Sequence, residues 1–213
     1  MNLAIFGASG RTGTLLVDAA VEGGHQVTAL VRNPERLGAS RSVGDQVTIV
    51  EGDVLDPRAV GEAVRGADAV LIALGAPARA TDHVLELGTE AIIGTMKEHD
   101  VERLVVLTSF AVADGPSLTG PVGRVLLGFS SHITRPLWRD KEAQEAAVMR
   151  SDLDWTLVRP ITLTNGPATG HYIAEEAPRV RLSSRISRAD VAAFMLAEAT
   201  APRWSGRAVR LVA

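Results

Sequence analysis

"LAIFGASGRTG", residues 3–13, opens as an apolar run and then breaks into glycines at positions 7, 10 and 13. The apolar run fits a strand buried on both faces, and the residues after it fall into helical period, so the glycines mark a strand-to-helix junction. A helix start exposes unpaired N–H groups and a partial positive charge, and it attracts phosphate when the preceding turn is bare enough for close approach. In this reading Gly7 allows the tight turn, Gly10 clears the path of a diphosphate and Gly13 lets the helix lie against the sheet. Ser9 and Thr12 add hydroxyl donors. The spacing is G-x-x-G-x-x-G, not G-x-G-x-x-G, and the absence of a G-K-[ST] ending disfavours a P-loop NTPase.

Outward from this junction, apolar runs of strand length alternate with stretches of helical period, the pattern of a parallel sheet wrapped by helices. Strands are predicted at Asn2–Phe6, Gln26–Val31, Val47–Val50, Ala69–Ala73, Leu104–Leu107, Trp155–Val158 and Ala208–Leu211. Helices are predicted over 11–23, 57–65, 83–98, 139–150 and 188–199, the last opened by "ISRAD", where Ser187 can cap and Asp190 stands at the third helical position. The expected fold is α/β, a Rossmann-type doubly wound parallel sheet in one domain spanning 1–213. Two segments, 110–138 and 161–185, depart from the alternation and are expected to cover a substrate at the carboxyl ends of the strands. In the first, Val122, Val125, Leu126 and Phe129 fall at helical spacing.

The end of the second strand selects the dinucleotide. An acid about 20 residues after the glycines would hold the 2′-hydroxyl of NAD. "ALVRNPERL" (29–37) has none there; Arg32 takes the place and Arg36 follows one turn later, two guanidiniums able to pair with a 2′-phosphate, with Arg11 nearby. NADPH/NADP is therefore favoured over the unphosphorylated cofactor, although Arg36 alone reads equally as a solvated arginine. Asp53 in "EGDVLD" can accept from an adenine amino group beside Val54, and Leu74–Gly75 ends the fourth strand where backbone would pass under the ribose and diphosphate. Asp53 also suits a turn or a helix cap.

Composition narrows the partners. The formal net charge of −3 gives no electrostatic case for nucleic acid or an anionic membrane, and a chain without cysteine has no thiolate nucleophile, disulfide or iron–sulfur cluster. No apolar stretch reaches the ~18 residues that spanning a bilayer requires, and no leader pattern opens the chain, so a cytoplasmic protein with a small soluble partner is expected. Lys97 and Lys141 are the only lysines.

"IFGASGRTG", "LVRNPERL", "GDV", "LIALG", "VVLTS", "LDWTLVRP" and "ISRADVAAFML", in that order along nearly the whole chain, resemble the atypical short-chain dehydrogenase/reductases of the NmrA-like NAD(P)H-binding group. The nearest likeness is to the biliverdin-IXβ reductase/flavin reductase family. That resemblance implies an NADPH site made by the glycine loop, the arginines after the second strand, Asp53–Val54 and Leu74–Gly75. It also implies a serine near the nicotinamide, here Ser109, and a pocket lined by Pro160 and Ile161.

Many members of the wider superfamily use Tyr-x-x-x-Lys, the lysine lowering the tyrosine's pKa so that it protonates a developing alkoxide. Lys141 stands where that lysine is expected, but four residues earlier comes Leu137. Lys141 can still hold a nicotinamide ribose. The other proton-donor candidates are Tyr172, the chain's single tyrosine, with His171 and His132, each more readily read as a packing, surface or structural residue. Without a positioned acid, hydride transfer suits a small planar acceptor such as a flavin, quinone or conjugated tetrapyrrole. The rivals are a dinucleotide sensor without turnover and a specialised biosynthetic reductase or isomerase. A monomer or weak homodimer is expected.

Overall fold

The structure, a computed structural model, describes residues 1–37, 44–75, 83–110, 112, 136–179 and 183–213. The expected helix around 122–129 and His132 lie outside these residues. β1 (Asn2–Phe6) runs into the glycine loop and α1 (Arg11–Glu22), and the alternation continues through β2 (Gln26–Val31), β3 (Val47–Glu51), α2 (Pro57–Val64), β4 (Ala69–Ile72), α3 (Val84–Glu98) and β5 (Arg103–Leu107). A helix over 136–149, α4, leads into β6 (Asp154–Pro160), followed by β7 (Thr162–Thr164), β8 (Ile173–Glu175), β9 (Arg185–Ser187), α5 (Arg188–Thr200) and β10 (Arg207–Val212).

The main sheet has the order β3-β2-β1-β4-β5-β6-β10-β8, parallel throughout except for the antiparallel β8–β10 pair. β7 and β9 form a separate two-stranded parallel sheet. Near-continuous apolar strands are what a sheet covered on both faces requires, and alternate residues of β1 show the division. Leu3 and Ile5 pack with Leu16 and Val17 of α1 and Val191 and Met195 of α5. Ala4 and Phe6 face the other layer, with Val60 of α2, Ile92 and Met96 of α3 and Val148 of α4. The strand order reverses between β1 and β4, which brings the glycine loop and Leu74–Gly75 to one crevice.

The expected strands all form, within a residue or two. β7, β8 and β9 are not foreseen, and β8 extends the main sheet through Leu211↔Ala174 pairing, so part of 161–185 is sheet edge.

Asp190 ties that segment to α5. Ser187 caps the helix, its Oγ accepting from the Asp190 N–H at 2.9 Å while donating to Asp190 Oδ2 at 2.6 Å. The same carboxylate accepts the backbone N–H groups of Thr169 and Gly170, both at 2.8 Å, and the Thr169 hydroxyl at 3.2 Å. Burial alone would raise the pKa of this carboxyl; the hydrogen bonds from Ser187, Gly170 and Thr169 together outweigh it and hold Asp190 below the usual aspartate range. A depressed folded-state pKa adds stability that is present above the unfolded value and lost as pH falls through the folded one. Asp190→Asn is expected to cost about 2 kcal/mol at neutral pH. In urea melts over a pH series, the gap from the parent should begin to close below about pH 4; a gap unchanged down to pH 3 would remove this role.

Candidate nucleotide cleft

A cleft of about 400 Å³ opens at the carboxyl ends of the strands, beside the glycine loop. The loop enters it through a turn that only glycine fits. Gly7 has φ +80°, and a Cβ there would lie 2.5 Å from the Ala73 carbonyl oxygen. At Gly13 a Cβ would collide with the Gly7 carbonyl, so its bareness brings the helix against the loop's own backbone and not, as expected from sequence, against the sheet. Gly10 is different: its φ of −80° suits any residue, and it occupies the N-cap of α1 without a side-chain hydrogen bond to the helix. The first turn carries no acid either, leaving a helix start that borders the cleft with its positive end uncompensated.

The cleft gathers most residues nominated from sequence. Ser9, Gly10, Arg11 and Thr12 line it beside Gly7. Arg32, Arg36, Asp53 and Val54 line it at the ends of β2 and β3, and Leu74 and Gly75 at the end of β4. Arg36 closes a short 3-10 turn, Pro34–Arg36, whose start is fixed by Asn33 Oδ1 accepting from the Glu35 N–H at 2.9 Å. Asp53 accepts from the Leu55 N–H at 3.0 Å, so it makes the turn foreseen as its alternative use and also faces the cleft.

At the β5 end, Thr108 and Lys141 are on the wall, but Ser109, Pro160, Ile161 and Gly13 are not among its lining residues. Ser109 is half-buried, one residue beyond Thr108, and the chain here is laced to β6 by Thr108 N–H to Val158 O at 2.8 Å and Phe110 N–H to Pro160 O at 3.0 Å. Within 161–185, Leu163 reaches the cleft, and Arg188 of α5 joins it while donating to Asn165 Oδ1 at 2.6 Å. Tyr172 does not line the cleft. Its ring meets Phe194 edge-on at 6.0 Å and lines a separate groove with Trp204, and its hydroxyl is pushed up in pKa by burial and then by the charges of Asp190 and Glu198. His171 is exposed, its Nδ1 2.7 Å from the Thr169 carbonyl.

Behind Lys141 stands a buried network that sequence reading missed. Glu145, one turn along α4, accepts from Arg159 through Nε at 3.0 Å and Nη2 at 2.5 Å, a two-pronged pair with side chains only 9% and 1% exposed. Its Oε1 also accepts the Thr108 hydroxyl at 2.5 Å. Burial lowers the pKa of the Lys141 ammonium, opposed by the charges of Glu145 and Asp140. Asp140 has a further task. Its two oxygens accept the Leu85 and Glu86 N–H groups at 3.1 and 2.9 Å, capping α3, where His83 adopts left-handed backbone and supplies no cap. The missed signals were an arginine inside the apolar strand "LDWTLVRP" and a glutamate at i+4 from Lys141. A buried guanidinium needs a buried acid.

A bare turn, an uncapped helix start and basic side chains at the end of β2 meet in one cleft, and residues 7–202 match the NAD(P)H-binding family. The chain belongs to this NAD(P)H-binding family. That agrees with the resemblance to NmrA-like atypical short-chain dehydrogenase/reductases drawn from its motifs. The chain is 36% identical over 107 residues to the uncharacterized protein YwnB of Bacillus subtilis (strain 168), covering 50% of this chain and 46% of that one. It is 29% identical over 217 aligned positions to the (4-alkanoyl-5-oxo-2,5-dihydrofuran-3-yl)methyl phosphate reductase of Streptomyces griseus, covering 96% of this chain and 65% of that one. It thus spans less than two thirds of the length of either relative. Among solved structures, ChuY, an anaerobillin reductase from Escherichia coli O157:H7, shares the fold with a TM-score of 0.78 at 23% identity, over 100% of this chain and 97% of that one. Among the described residues, no helix is long and apolar enough to cross a membrane.

Proposed function

We propose that this NAD(P)H-binding protein is an NADPH-dependent reductase of planar conjugated acceptors, with flavins, quinones and tetrapyrrole-like molecules as the substrate class. The observation that carries the reading is the uncapped start of α1 facing the same cleft as Arg32 and Arg36. The helix start and the bare loop receive a diphosphate, and the two arginines take the 2′-phosphate, where a carboxylate would repel it. Arg11 adds positive charge to the same wall. Asp53 and Val54 accommodate the adenine, and Leu74–Gly75 lets the backbone pass beneath.

A reduced nicotinamide bound at the β5 end supplies hydride. Lys141 holds its ribose and raises the local positive potential, and Ser109, half-buried one residue beyond the cleft wall at Thr108, is assigned the hydrogen bond to the amide or the substrate. Leu137 stands where a tyrosine acid would be, so the protein's task is to hold the acceptor flat against the ring and leave the proton to water. The names of the Streptomyces griseus relative and of ChuY, both reductases, support the reaction class. The protein acts on a small molecule in the cytoplasm as a monomer or weak homodimer. Leu137 also favours a second reading, a sensor that binds NADP(H) without turnover.

One experiment separates them. With purified protein, NADPH absorbance is expected to fall well above background on addition of riboflavin, FMN or a small quinone. NADPH binding by calorimetry with no turnover on any of these would establish the sensor and overturn the reductase.

A further inference from the structure

We infer that the Thr108 hydroxyl faces the cleft as a hydrogen-bond acceptor only and so selects the carboxamide N–H of a nicotinamide; this rests on the reading above that the cleft holds a nicotinamide nucleotide. The polarity follows from the groups behind it. A threonine hydroxyl carries one proton and two lone pairs. Among the described residues its partners are Glu145 Oε1 at 2.5 Å and the Val158 carbonyl oxygen at 3.5 Å, both of them acceptors. Both oxygens of Glu145 also accept from Arg159, Oε1 from Nε at 3.0 Å and Oε2 from Nη2 at 2.5 Å, and the whole cluster is buried, with Thr108 6%, Glu145 1% and Arg159 8% exposed. The one hydroxyl proton is therefore committed inward, and lone pairs remain for the cleft that Thr108 lines.

An acceptor held in this way discriminates between partners. The hydroxyls of a ribose can turn to donate or accept, so they gain no selectivity from it. At the reactive end of a nicotinamide nucleotide the carboxamide NH2 is the only N–H donor group, and an acceptor fixed on the end of β5 sets the rotation of the ring and hence the face of C4 offered to an acceptor molecule. Arg159 and Glu145 are thus positioning residues: they act through Thr108.

The test compares NADP⁺ with 3-acetylpyridine adenine dinucleotide phosphate, which keeps the phosphates and both riboses but replaces the carboxamide by a methyl ketone without N–H. Calorimetry on the parent protein is expected to show NADP⁺ bound about five- to tenfold more tightly, the worth of one hydrogen bond. Thr108→Val should weaken NADP⁺ by that factor and leave the analogue unchanged, and Thr108→Ser should restore the preference. Equal affinities in the parent would overturn the inference whether or not any variant folds. So would a folded Thr108→Val that keeps the preference or loses both ligands alike. A parent that binds neither nucleotide would instead remove the nucleotide assignment of the cleft.

Discussion

Glu145→Ala is expected to lower the melting temperature by on the order of 10 °C. The substitution leaves the Arg159 guanidinium in the core with both of its Glu145 partners gone and no room to reach water, since its side chain is only 9% exposed. Removing one member of a buried pair typically costs about 3–5 kcal/mol, because the surviving charge is neither solvated nor compensated. It also releases the Thr108 hydroxyl and removes the larger of the two charges, Glu145 and Asp140, that oppose the burial-driven lowering of the Lys141 pKa, which should fall further. The double variant Glu145→Leu, Arg159→Met separates pairing from packing. It should recover most of the loss, since an apolar pair of similar volume has no charge to desolvate. Thermal denaturation followed by circular dichroism checks both, and a drop of only a degree or two in the single variant would mean that water reaches Arg159.

Arg32→Ala carries the second large effect, on binding. The side chain is exposed on the cleft wall directly after β2, with Arg36 one short turn away. A charge-assisted, two-pronged contact to a phosphate is worth about 1.5–3 kcal/mol, so NADPH should bind roughly 10- to 100-fold more weakly. NADH has no 2′-phosphate and should change by less than about twofold. Because the arginine is solvated, the difference should shrink as salt is raised. Titrations with both nucleotides at low and high ionic strength decide it; equal losses for the two would remove the case for phosphate recognition at this end of the cleft.

Both predictions depend on residues that were unequally visible before the fold was known. Arg32 could be found because its meaning is positional: it is the first residue after a legible strand, at the distance from a legible glycine loop where the ribose of a dinucleotide falls. Ser187 and Asp190 were readable for a similar reason, since a cap joins residues three apart. Glu145, Thr108 and Arg159 were not. Each looks ordinary in its own segment, and their bonds cross 37 and 14 residues of chain. Tyr172 shows the converse case: as the single tyrosine it drew attention as a proton donor, and its ring has the packing use read beside that one, edge-on to Phe194 of α5 on the wall of a separate groove.

What the amino-acid order determined alone was the alternation of strand and helix, the parallel sheet, the glycine turn and the basic end of β2. All of these follow from periodicity, apolar runs and backbone freedom within a few residues of one another. Only the tertiary structure decided that β8 closes the sheet antiparallel to β10, that Asp140 caps a helix 55 residues upstream, and which way the Thr108 proton points. Those outcomes depend on which buried donor meets which acceptor once the layers pack, and nothing local records that choice.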